Sequence, residues 1–92
     1  MRKIEQQMLA AIQKRSNWAL DNTSVAPIDD VNSAVYLHRN HIADVNSRTG
    51  LVMVNKETLA RWSTPTTKSR LRALGANVTT RKGVTYLDNI AI

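Results

Sequence analysis

Six cations lie between Arg61 and Lys82 with no carboxylate among them: Arg61, Lys68, Arg70, Arg72, Arg81 and Lys82. That segment alone equals the formal net charge of +6 of the 92-residue chain. Residues 1 to 34, by contrast, set Arg2, Lys3, Lys14 and Arg15 against Glu5, Asp21, Asp29 and Asp30. A block of one sign on a folded domain creates a field that attracts polyanions, and the chemistry it offers is phosphate neutralisation. Thr66 and Ser69 add hydroxyl donors near a helix start, where the dipole also favours an anion. The candidate binding set is therefore Arg61, Thr66, Lys68, Ser69, Arg70, Arg72, Arg81 and Lys82. Nucleic acid is the expected partner, duplex DNA ahead of RNA, without a pattern that would read base edges.

Other chemistry finds little footing. His38 and His41, with Asp44 nearby, are too few ligands for a firm metal site. Read as flanking a tight turn, the two histidines make at most a weak bidentate pair. There is no cysteine, hence no disulfide, thiolate ligand or cysteine nucleophile. Gly50, Gly75 and Gly83 are the only glycines, and no dinucleotide or phosphate-loop pattern runs through them. Serine, histidine and aspartate occur without a nucleophile elbow or an ordered triad. The sequence thus points to a non-enzymatic protein without cofactor or metal.

The elements that must position the cations can be read from spacing. Ile4, Met8, Ala11 and Ile12 recur at steps of three and four, which predicts an amphipathic helix over residues 2 to 15. Strand-like runs follow at Asn22 to Val25, Ala34 to His38, His41 to Val45 and Leu51 to Val54, with Arg39-Asn40 as the turn of the middle hairpin. Thr64-Pro65 and Gly75 punctuate a helix over 65 to 74: a cap, a proline at the first turn and a glycine past the end. On it Thr67, Leu71 and Leu74 share one face, Lys68 lies beside Arg72, and Arg70 falls on the opposite flank. Two more strand-like runs, Asn77 to Thr80 and Val84 to Leu87, enclose the turn Arg81-Lys82-Gly83. With no phenylalanine in the chain, Trp18 and Trp62 read as core fillers.

The two halves echo each other. A helix leads to Asn22 to Val25, then Val35 to Leu37 and Ile42-Ala43; a second leads to Asn77 to Thr80, then Val84 to Leu87 and Ile90-Ala91. Helix plus three strands reads as the repeating unit. The expected fold is a small single α+β domain, two helices packed on a mostly antiparallel sheet. The alternative is a winged helix, in which Lys56 to Trp62 adds a short helix, 65 to 74 is the recognition element and 77 to 87 the wing. A mean hydropathy of −0.33 and 42% hydrophobic residues fit a soluble globular protein. The run Met8 to Ile12 is too short for a signal-peptide core or a membrane span, so a cytoplasmic location without membrane contact is expected.

The segments Asn22-Thr23-Ser24-Val25, Val35-Tyr36-Leu37-His38-Arg39-Asn40-His41-Ile42-Ala43 and Trp62-Ser63-Thr64-Pro65-Thr66-Thr67-Lys68-Ser69-Arg70-Leu71 together resemble a family of small bacteriophage proteins. The chain departs from that pattern at Arg39 and Arg61, where glycine is usual, and at Arg72, where asparagine is usual. The resemblance implies a phage origin and no established activity; joined to the nucleic-acid reading, it makes the expected protein a phage-encoded accessory or regulatory factor in the cytoplasm of an infected bacterium. It also implies an alternative to nucleic-acid binding: a host-takeover protein that inhibits a bacterial nucleic-acid enzyme or defence complex, its cations docking on that partner.

Overall fold

The three- and four-residue spacing of apolar side chains near the start builds α1 (Lys3–Lys14), which turns Met8, Ala11 and Ile12 into the core. The structure is a computed structural model that describes the whole chain, Met1–Ile92. The helix stops at Arg15, whose φ of 50° lets its own N–H and that of Ser16 close on the carbonyls of Ile12 and Ala11.

Five strands follow as an antiparallel meander in chain order: β1 (Trp18–Leu20), β2 (Thr23–Pro27), β3 (Asn32–Leu37), β4 (Asn40–Asn46) and β5 (Val52–Val54). Sequence spacing does not predict β1, a three-residue edge strand paired only with β2. The β3–β4 turn is His38-Arg39, not Arg39-Asn40. Both residues take positive φ, at 50° and 66°, as a two-residue hairpin turn matched to strand twist requires. The ladder then slips between Val35 and Tyr36, so that Val35 faces Ala43 while Tyr36 faces His41. Ile42 is the extra residue, and this bulge turns both Ile42 and Ala43 inward.

The chain continues through α2 (Lys56–Arg61), α3 (Pro65–Leu74) and a second antiparallel sheet of β6 (Val78–Arg81), β7 (Val84–Leu87) and β8 (Ile90–Ala91). Asn55 caps α2, its Oδ1 accepting from the Thr58 N–H at 3.1 Å. The α+β class holds, with three helices in place of two and two separate sheets. The additional helix is the one the winged-helix alternative requires, and α2, α3 and the β6–β7 hairpin do follow in its order. They lean on a five-stranded meander, however, and the architecture is helices packed on antiparallel sheets. One core joins the halves: Met8 and Ile12 from α1, Val25, Val35 and Ile42 from the large sheet, Leu59 from α2, Leu71 from α3 and Val78 from β6.

Candidate nucleic-acid interface

The helix that carries most of the candidate cations is bounded as its sequence predicts. Thr64 Oγ1 accepts from the Thr67 N–H at 3.2 Å, Pro65 opens the first turn, and Gly75 closes the helix at a φ of 108°. Leu71 and Leu74 are buried, and the polar residues leave the core by two opposite flanks.

One flank meets β6. Lys68 Nζ donates to Thr80 Oγ1 at 2.6 Å, and Arg72 Nε donates to the Val78 carbonyl at 2.7 Å. One helical turn apart on α3, the two cations are pinned along an edge strand that has no strand partner on its outer side. At the far end of β6 the Arg81 guanidinium lies 4.3 Å from the Tyr86 ring centroid, within cation–π range. Lys82 stands in the adjoining turn with a φ of 51°. Alternation along the strand puts Arg81 on the face opposite Val78 and Thr80. The cations therefore wrap the β6 edge from both sides instead of lying on one plane.

The other flank meets α1, and two candidates belong there. Arg70 does not join a displayed cationic face: it is only 3% exposed and its Nη1 donates to Glu5 Oε2 at 2.8 Å, while its Nε donates to Thr23 Oγ1 at 3.0 Å. Ser69 is likewise turned inward, its Oγ donating to the same Glu5 oxygen at 2.5 Å. The second Glu5 oxygen accepts from the Arg2 N–H at 3.3 Å. Burial pushes the Glu5 carboxyl up. The hydrogen bonds from Ser69, Arg70 and the Arg2 backbone, with the Arg70 charge, outweigh it and hold the group below its ordinary value of 4.5. Helical spacing places Arg70 on the correct flank, but nothing in spacing alone announces a carboxylate 65 residues away.

Arg61 sits at the end of α2, apart from the β6 edge, with its guanidinium 5.3 Å from the Trp62 ring centroid. Trp62 itself is 42% exposed and is not the core filler that the sequence suggests; Trp18, half-buried on β1, does pack against the core. Thr66 is half-buried beside Trp62. The β6 edge thus gathers Lys68, Arg72, Arg81 and Lys82, and excludes Arg61, Thr66, Ser69 and Arg70. Arg70 is the only lysine or arginine in an ion pair, so no carboxylate neutralises the edge cations.

The two histidines do not face each other. His38 occupies the turn, whereas His41 Nε2 lies 2.7 Å from Asp44 Oδ1 and its Nδ1 3.2 Å from Asn55 Nδ2. No helix is long and apolar enough to cross a membrane.

Neither a curated protein nor a solved structure matches the chain. A family model does, over residues 1–91: that of the Kyanoviridae Gp96 protein. The phage kinship that the sequence resemblance implies is thereby given a family, and this chain belongs to the Kyanoviridae Gp96 proteins, a phage protein family.

Proposed function

We propose that this phage protein binds nucleic acid, DNA foremost, through the β6 edge, as an accessory or regulatory factor acting in the infected cell. The observation that carries the reading is the fixing of Lys68 and Arg72 to β6 by hydrogen bonds from both side chains, next to Arg81 and Lys82 and without a carboxylate paired to any of the four. Cations that need no internal counter-ion and are already ordered lose little conformational entropy when a phosphate binds. Such cations address the backbone of the ligand; sequence preference has no support in this edge.

The test is affinity for a short DNA over a salt series. Lys68→Ala/Arg72→Ala and Arg81→Ala/Lys82→Ala should each weaken binding and reduce the log–log salt slope by about 2, close to one unit for each phosphate left without its cation. Both variants stay folded, the first destabilised by about 1 kcal/mol because the Val78 carbonyl is deprived of its donor. Wild-type slopes in both folded variants would end the reading. If the same variants instead failed to retain a single stoichiometric host protein in a pull-down, the edge would be the docking surface of a host-takeover inhibitor.

A further inference from the structure

Trp62 is a large ring 42% exposed to solvent, in a chain with only two tryptophans and no phenylalanine. It stands at the wall of a cavity of about 360 Å³ between the β3–β4 hairpin and the α2–α3 connection. Leu37 and Ile42, both buried, give the cavity an apolar floor. The rest of its lining bears hydrogen-bonding groups: the His38 imidazole, the Asn40 amide and the hydroxyls of Thr58, Thr64, Thr66 and Thr67. None of these groups is charged like the β6 edge, and the cavity contains none of the residues of that edge. The Arg61 guanidinium, 5.3 Å from the Trp62 ring centroid, places a cation beside that wall.

We infer that this cavity takes one unpaired base of a single-stranded nucleic acid, stacked on the Trp62 indole, with Arg61 on the adjoining phosphate. An apolar floor beside an aromatic wall suits a planar heterocycle, and a rim of mixed donors and acceptors suits its polar edge. The volume, at the small end of ligand sites, has room for a nucleobase. A base inside a duplex has both faces covered by its neighbours, so only an unpaired one can meet the indole. Arg61 selects an anionic chain over a neutral planar ligand. The inference rests on the nucleic-acid reading and adds to it the strand form that is bound.

Three probes test it: a short oligothymidylate, an abasic phosphodiester chain of equal length, and the duplex of the same length. The intact protein should bind oligothymidylate about tenfold more tightly than the abasic chain, the scale of one base–aromatic stack, and more tightly than the duplex. Its Trp62 indole N–H resonance should move on titration with oligothymidylate and stay in place with the abasic chain. Trp62→Ala should remove the tenfold preference and leave the salt slope unchanged, and Trp62→Phe should restore part of it. Equal affinity for oligothymidylate and the abasic chain, or an unmoved indole resonance, overturns the base pocket while salt-dependent binding leaves the phosphate edge standing. The converse result, a Trp62-dependent base preference with slopes unaffected by the edge variants, retains the pocket and removes the edge. Failure of all three probes to bind overturns both.

Discussion

The Asn22 carbonyl accepts from the His38 N–H at 2.7 Å, and the Asn77 carbonyl accepts from the Asp88 N–H at 2.9 Å. Around these two bonds the halves of the molecule correspond. Thr23 pairs with Leu37 as Val78 pairs with Leu87, and Leu37 pairs with Asn40 as Leu87 pairs with Ile90. The helices end alike too: Ser16 N–H closes on the Ala11 carbonyl, and Ala76 N–H on that of Leu71. What differs is the use of polar groups. The first half extends its meander with β1 and β5, and commits its one buried carboxylate, Glu5, to the seam with the second half. The second half keeps a three-stranded sheet with short strands and leaves its edge cations without a carboxylate partner. One frame therefore supports a half that completes the core and a half that presents charge.

The largest expected effect is at the seam. Glu5→Ala leaves Arg70 buried without its counter-ion and should cost about 3–5 kcal/mol, read as a drop in the urea midpoint. Replacing both partners with apolar residues of similar volume should recover most of that stability. The same pair gives an acid limb. Because the folded Glu5 carboxyl lies below its ordinary 4.5, its contribution is complete above that value and is lost as pH falls through the folded value. Glu5→Gln should flatten stability against pH below about 4.5 without altering the trend near neutrality. An unchanged acid limb would mean that the halves are joined by apolar packing alone.

A smaller effect separates the two tryptophans. Trp18, half-buried against the core, should cost about 2 kcal/mol on change to alanine. The exposed Trp62 should stay within about 0.5 kcal/mol of wild type. Thermal melts of the two single variants decide it, and equal destabilisation would make Trp62 a structural residue and break the contrast between a core-completing half and a presenting one.

The tryptophans also mark what can be read from the sequence. Periodicity locates α1 and the flanks of α3, and the Thr64, Pro65 and Gly75 punctuation bounds α3 correctly, because helix signals are local. The helix-led echo is legible for the same reason: its turns and asparagines lie close in sequence to the strands they organise. Trp62 misleads because ring size indicates core only on average, and whether a cavity opens beside a ring depends on a hairpin more than 20 residues away. Arg70 passes for a displayed cation because its partner lies on another helix. The β3–β4 turn reads one residue late, since neither His38 nor Arg39 signals positive φ as glycine does.

That turn supplies the finest comparison. His38-Arg39, Lys82-Gly83 and Asp88-Asn89 connect their strands through the same conformation, with φ values of 50° and 66°, 51° and 79°, and 52° and 66°. Glycine in the second position of the Lys82-Gly83 turn is free of the side-chain clash that left-handed backbone imposes; Gly83→Ala should cost about 1 kcal/mol although open space surrounds the position. Arg39 bears that clash in the native protein, at a φ of 66°. Its side chain is exposed and joins no ion pair, so Arg39→Gly relieves strain without breaking one. Relief of about 1–2 kcal/mol of left-handed strain is partly offset by the greater freedom of glycine in the unfolded chain, for a net gain of about 0.5 kcal/mol. The urea midpoint should rise by that amount with an unchanged slope. A fall would show that the Arg39 side chain stabilises the β3–β4 hairpin by more than its backbone strain costs.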